Sequence, residues 1–470
     1  MNIDWNSTLV MTAYLAITLS VASYYGGKNT DSSEDFSVGG RKFGIVILFF
    51  TMLATAVGAA SVVGYTGWYY IRGLSQIWFV IGISVSYLIY LFYLAPKISD
   101  FGFEHNASTV GDWLEYRYDR ITKNISSVLL IIAYLAITAF QYMAMAEIFT
   151  QVTNISYNYS LIITAAIVII YTSIGGLWSI AATDVLQGAM TIIGLLVLTP
   201  IIISKAGGIS QILAEVPDQH LQLFGHVDPV GALSFTLVFM LGIISWPDIW
   251  QRCYSAESKQ SLKRSLGLFV VASIIITGGL VLFIGLGAKV LYPGYSSPEK
   301  ILPFMIMKQM PNLLGSIFLA ALVAVIMGTA DSTLLISAVM FEKDIFSQIK
   351  PDASDATKLK VNRYATIIGG VIVLILAITA PSMFSIWVWS ADITGATLAV
   401  PILLGMAWQR PSHYAALTSI ITGFGGWAIA RAGWIDWKPI LLGSLLSLLG
   451  YLAATLLTTK ETPTKQEQLN

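Results

Sequence analysis

The sequence predicts an all-α polytopic membrane protein of about thirteen transmembrane helices, and three observations predict it. Of the 470 residues, 56% are hydrophobic and only 11% charged, against about 25% charged in soluble domains; the mean hydropathy is +0.73. The apolar residues gather into stretches of about 20 residues or more, long enough to cross a hydrocarbon core as helices rising about 1.5 Å per residue. Period-two alternation is absent from them, which excludes a β-barrel.

The first span covers 7–25. Residues 1–6 contain no Lys or Arg, so no basic leader region precedes it and the segment is expected to stay uncleaved. Twelve more spans are expected over 43–72, 74–95, 124–152, 158–176, 181–204, 231–253, 264–290, 313–340, 361–380, 383–408, 412–431 and 436–458. An odd number puts the termini on opposite sides. Of the 26 Lys and Arg residues, nineteen fall in loops on the side of the C-terminus and seven on the other. That bias predicts a cytoplasmic C-terminus and an outside N-terminus in a cell or plasma membrane. The expected organisation is an extra helix and its cytoplasmic loop (1–42), a five-helix block (43–204), an extracellular loop (205–230), a second five-helix block (231–408), two further helices (409–458) and a cytoplasmic tail (459–470).

Composition also narrows the function. A formal net charge of zero gives no sign of nucleic-acid binding. The single cysteine, Cys253, excludes an intrachain disulfide framework and a multi-cysteine metal site. His105, His220, His226 and His413 fall in loops or at segment ends without ligand spacing, and are read as solvated. No His-Glu-x-x-His or Gly-x-Ser-x-Gly motif occurs, so an enzyme is not expected. The tail is too short for an output module, which argues against a membrane sensor; a receptor whose output sits on a partner protein stays open.

Span 313–340 contains Gly328-Thr329-Ala330-Asp331-Ser332-Thr333. Asp331 lies about ten residues, roughly 15 Å, from the C-terminal end of that span. A carboxylate at such depth costs about 2.5–3.5 kcal/mol on insertion scales. The hydroxyls alone are accounted for by bonds to the preceding turn; the acid calls for a bound cation or another polar helix. Two other spans are interrupted. Residues 53–61 form a run of small and weakly helix-forming residues, and Pro247 removes a backbone hydrogen bond in the middle of its span. These are the first helices of the two five-helix blocks. Each block has an odd number of spans, so the second is inverted with respect to the first. Breaks at matching positions of inverted blocks point to the five-plus-five inverted-repeat core of a secondary transporter.

Tyr171-Thr-Ser-Ile-Gly-Gly-Leu-Trp-Ser179, followed by Ala182-Thr-Asp-Val-Leu-Gln187, resembles the signature of the sodium:solute symporter family, as does Gly39-Gly40-Arg41. Pro247-Asp-Ile-Trp-Gln-Arg252 and Phe341-Glu-Lys-Asp-Ile-Phe346 are similar to further landmarks of that family. The resemblance covers about residues 7–458. It implies a leucine-transporter-type core of ten helices, with one helix before it and two after. It implies uptake of a small solute by alternating access, with sodium as coupling ion and no other cofactor. It implies a central sodium site made by the carbonyls of Ala54, Val57 and Val325 and the hydroxyl of Thr329, with Gly328 where the family usually has serine. A second sodium site of some members corresponds to Asp184, Asp331 and Ser332, here with a carboxylate at 331. Gly328 and Asp331 are three apart and share a helix face, so Asp331, with Asp184, Thr329 and Ser332, is expected to rebuild the cation site. The rival expectation is a proton carried on Asp331.

The resemblance also puts the solute near the midplane, between core helices 1, 2, 3, 6 and 10. The candidate contacts are Gln76, Gln141, Asp248 and Asp392, with Trp246, Trp250 and Trp389 as aromatic walls. Trp246-Pro247 stands where the family's sugar transporters carry an Asn/Asp-Gln pair, which counts against a hexose. Acids beside tryptophans suit an ammonium group, so an amino acid or other zwitterion is the expected class; Asp392 bonded to a neighbouring helix is the competing reading. Arg252 is read as a gate or helix-end anchor.

Overall fold

A computed structural model describes residues 5–379, 383–408 and 412–458; the expected tail, 459–470, lies outside the described residues. The described residues are mostly helical. The sole pairing of extended backbone among the described residues is an isolated bridge between Phe43 and Ala256. Nine helices among the described residues are long and apolar enough to cross a membrane, or ten if Pro229–Ile244 and Pro247–Ser255 are one broken span. The expected thirteen is not reached on that count, because neighbouring spans run on as one in Ala60–His105 and Tyr157–Lys205 and the helix His413–Arg431 is not among the candidates. Expected spans 158–176 and 181–204 lie in a single run, Tyr157–Lys205, whose backbone turns at Gly176 with φ 52° and ψ −133°. A Cβ at Gly176 would stand 2.5 Å from the Phe36 carbonyl oxygen, so both the conformation and the space require glycine.

Both interruptions are present in the backbone. The helix Ile45–Ala56 ends at Val57, whose φ of −99° and ψ of 73° leave the helical region, and helical structure resumes at Ala60. Pro229–Ile244 and Pro247–Ser255 meet at a bend of 41°. Trp246 between them is extended, and Pro247 opens the second half. Proline suits that first position, since the N–H it lacks would have had no helical partner.

The helix Asn312–Met340 is the axis of the bundle. In the Leu313–Ile349 span 83% of the most apolar window is buried, which makes it an interior helix. It packs against the helices Trp5–Asn29, Arg120–Thr153, Tyr157–Lys205 and Asp355–Thr379. His413–Arg431 and Pro439–Thr458 pair through a 2.7 Å hydrogen bond between Ser419 and Ser447 and rest on Met383–Ala407.

One end of the bundle is tied by a buried ionic network. Lys123 Nζ lies 3.1 Å from Asp112, 3.0 Å from Glu115 and 3.5 Å from Asp344. Asp344 also accepts from Thr109 and Ser127, each at 2.7 Å. Removing one partner of a buried pair leaves a charge uncompensated, at about 3–5 kcal/mol. Lys123→Met is therefore expected to lower the thermal unfolding midpoint in detergent, and a midpoint equal to wild type would contradict the network's role.

The reading of the histidines as solvated needs correction at His220; His105 and His226 are exposed. His220 is only 4% exposed. Its ring nitrogens meet the Tyr70 carbonyl and His226, both at 3.2 Å, because the loop 218–226 folds back onto the Gly73 turn. Burial holds both imidazoles below their ordinary 6.5, and Lys289, with Arg72 at His226, adds to the shift. The neutral forms are favoured in the docked loop, so docking is strongest above pH 6.5 and weakens as pH falls. The amide protection factors over 216–228, taken relative to the intrinsic exchange rate at each pH, are expected to be smaller at pH 5 than at pH 7.5; equal protection at both would contradict the role of the imidazoles.

Candidate functional site

The first break, the axial helix and the second half of Tyr157–Lys205 enclose a polar cluster inside an apolar bundle. Leu53 is the last residue of its helix whose carbonyl takes a helical N–H, that of Val57 at 2.8 Å. The carbonyls after it are helix-end orphans. Thr329 turns its hydroxyl to them, 2.8 Å from the Thr55 oxygen and 3.3 Å from that of Ala54. The approach depends on Gly58, where a Cβ would sit 2.2 Å from Thr329 Oγ1. Val57 is the first non-helical residue of the break and Val325 lies one turn before Thr329; both are buried.

One turn further along lie the two acids. Thr51 donates to Asp184 Oδ2, and Tyr171 donates to Asp331 Oδ2 at 2.6 Å. Asp184 Oδ1 and Asp331 Oδ1 are both buried and accept from no protein group. Arg252, 1% exposed, projects into the same cluster from Pro247–Ser255. Its Nη2 lies 2.6 Å from Ser332 Oγ, 2.7 Å from Thr55 Oγ1 and 3.3 Å from Thr51 Oγ1. Ser332 thus meets a guanidinium and Thr55 as well as its neighbour Asp331. Gln187, one turn after Asp184, donates from Nε2 to Tyr14 at 3.4 Å, and its Oε1 accepts from nothing.

Beside this cluster a cavity of about 30 Å3 is lined by Tyr134, Gln141, Trp246, Asp248, Thr333 and Trp387. That is room for about one water. Tyr134 donates to Asp248 there, and Gln141 Oε1 accepts the Ala59 N–H at 3.2 Å. A larger cavity of about 450 Å3, lined by Ala59, Trp68, Phe140, Glu147 and Lys300, lies beyond Ala59. Glu147 and Lys300 pair at 2.8 Å in its wall.

Gln141, Trp246 and Asp248 are therefore brought together, and the other candidates lie elsewhere. Gln76 ends the tight turn Gly73–Gln76, which carries it to the tip of the helical hairpin. Trp250 is buried against Trp113, with ring centroids 5.7 Å apart, and donates to the Ile244 carbonyl at 3.3 Å. Asp392 neighbours Trp427 and Arg431 of the helix His413–Arg431. Trp389 is 44% exposed beneath the Arg431 guanidinium. Sequence reasoning passed over Gln187, Tyr171 and Tyr134. Gln187 and Tyr171 stand inside the quoted signature; nothing in the sequence singles out Tyr134.

The sequence profile of the sodium:solute symporter family matches residues 36–423. The chain is 29% identical over 435 residues to the sodium/pantothenate symporter of Haemophilus influenzae, covering 90% of this chain and 89% of that protein. It is 26% identical to sodium/proline symporter 2 of Staphylococcus saprophyticus, covering 97% and 92%. Its fold superposes on a Na+-coupled sialic acid symporter solved in a substrate-bound outward-open state, with a TM-score of 0.87 at 21% identity and 98% of each chain covered. That likeness gives the chain the leucine-transporter-type fold.

Proposed function

This chain belongs to the sodium:solute symporter family, so sodium-coupled symport of small solutes is its activity, and on that premise we propose that it imports a carboxylate-bearing solute by alternating access. Residues 43–204 and 231–408 act as the two inverted halves, with the C-terminus in the cytoplasm. The observation that carries the sodium reading is a charge imbalance. Asp184, Asp331 and Arg252 share one buried cluster, two acids against one base, and each acid has an oxygen without a partner. One monovalent cation neutralises the set, and hard oxygen ligands suit an alkali ion. A proton would balance the same charge, so the coupling ion is the point to test. Ala54, Val57, Val325 and Thr329 form the position at the break; Asp184 and Asp331 form the acidic position below it.

The solute class follows from the cavity's chemistry. Pantothenate, proline and sialic acid, the solutes in the relatives' names, all carry a carboxylate. The half-helix 60–72 starts at the cavity, and helix N-termini favour anions. Asp248 opposite accepts an N–H or O–H from the rest of the solute, as it accepts the Tyr134 O–H in the solute's absence. The 30 Å3 cavity then marks a closed centre that must open from the 450 Å3 side.

The test is uptake into proteoliposomes of radiolabelled proline, pantothenate and uncharged analogues. Accumulation of a carboxylate driven by a sodium gradient, unaffected by a proton uncoupler at clamped potential, is expected. Uptake indifferent to sodium would refute the coupling ion, and absence of counterflow would favour a sensor. In the same assay Gly58→Ala, by displacing Thr329, is expected to raise the half-saturating sodium concentration about tenfold.

A further inference from the structure

We propose that Gln187 is a direct cation ligand, its side-chain carbonyl completing the sodium position at the first helix break. The inference rests on the sodium reading above and names a ligand that reading does not include.

Tyr14 donates its hydroxyl proton to the Met327 sulfur at 3.6 Å and receives Gln187 Nε2–H at 3.4 Å. The amino end of the amide is thereby engaged, and the carbonyl end points the other way. That end faces Gly328: a Cβ on Gly328 would lie 3.0 Å from Gln187 Oε1, 3.1 Å from the Ala54 carbonyl oxygen and 2.8 Å from Ala54 Cβ. Glycine at 328 leaves its Cα bare, so two acceptor oxygens from different helices converge on one spot. Thr329 Oγ1 lies 3.3 Å from that same Ala54 oxygen. Three oxygens, from residues 54, 187 and 329, thus surround one locus.

Gln187 is 0% exposed and Oε1 has no donor. Leaving a buried acceptor unmade costs about 1–3 kcal/mol. The Ala54 oxygen receives only the long Thr329 O–H contact at 3.3 Å, and Gln187 Oε1 receives no proton at all. A desolvated alkali cation seeks several such neutral oxygens. The register supports the assignment. Asp184 and Gln187 are three apart on one helix, Gly328 and Asp331 three apart on another, and such spacing keeps each pair on one helix face. Gln187 therefore faces the neutral position at the break, and Asp184 shares the acidic position with Asp331. The oxygen missing at Gly328 is supplied across the helix interface by Gln187, not along the helix by Asp331.

The experiment is sodium titration of the purified full chain in choline buffer, followed by intrinsic tryptophan fluorescence, for wild type, Gln187→Leu, Gln187→Glu and Gln187→Asn. Thermal unfolding in sodium-free buffer checks that each variant is folded. Gln187→Leu is expected to raise the half-saturating sodium concentration at least about tenfold. Gln187→Glu, which keeps an acceptor in place, is expected to hold or tighten it. Where the leucine variant does not fold, Gln187→Asn carries the test: it withdraws the oxygen by one methylene, and weakened sodium binding is expected. Wild-type sodium affinity in the leucine or asparagine variant would overturn the assignment while leaving sodium coupling intact. So would equal weakening in the leucine and glutamate variants, which is the mark of a packing role. A wild-type protein that shows no saturable response to sodium would instead overturn the coupling reading, and this assignment with it.

Discussion

Asp331→Ala is expected to abolish sodium-driven accumulation and to lower apparent sodium affinity at least about 100-fold. A carboxylate about 4 Å from a monovalent cation, at an effective dielectric of about 20, attracts it by about 4 kcal/mol, near a thousandfold. Part of that is offset by the ion's own desolvation, hence the smaller figure. The same change leaves Asp184 and Arg252 as one acid and one base in this cluster, with Asp248 on the same half-helix as Arg252 held apart by the Tyr134 hydroxyl. Their charges cancel without an added ion. The variant should therefore be at least as stable as wild type in sodium-free buffer, and sodium should no longer raise its unfolding midpoint. Thermal unfolding with and without sodium checks both halves. A variant stabilised by sodium as strongly as wild type would mean that Asp331 is merely a helix-packing acid held by Tyr171 at 2.6 Å.

Arg252→Met should do the opposite. It removes the only cationic side chain that the described residues place among Asp184, Asp331 and the hydroxyls of Thr51, Thr55 and Ser332. Two buried carboxylates then face each other without a base. Loss of one partner from such a set costs about 3–5 kcal/mol. The unfolding midpoint is expected to fall in sodium-free buffer and to recover in part at high sodium, because the ion takes up the charge the guanidinium carried. Equal destabilisation at all sodium concentrations would show that Arg252 is a packing anchor alone. The two substitutions form a cycle. In the double variant Asp184 stands as the single charge of the cluster, and its stability should depend on sodium more steeply than that of Asp331→Ala.

The parts of this protein that sequence could give are those set by local chemistry. Apolar runs give helices, and Pro247 and the small-residue run at 53–61 give breaks. The breaks are seen where they were expected, at Val57 and at Trp246–Pro247. The helix count was less legible. Apolarity reports that a segment can lie in lipid, whereas a turn such as that at Gly176 depends on one residue's φ and on Phe36 beside it. The candidates for the solute cavity show the same limit. Gln141 and Asp248 point inward. Gln76, equally polar and equally buried, is carried to a hairpin tip by the turn that begins at Gly73.

The sequence by itself determined the class of the protein and its family, and it placed acids deep in apolar spans, because hydropathy, motif and charge are properties of residues in chain order. Only the tertiary structure decided which oxygens meet. Gln187 comes beside Gly328, Arg252 comes to Ser332, and Asp392 turns to the helix His413–Arg431. Such meetings are fixed by rotation and register between helices distant in sequence. Those are set by the packing of every side chain at the interface, and no single segment carries that information.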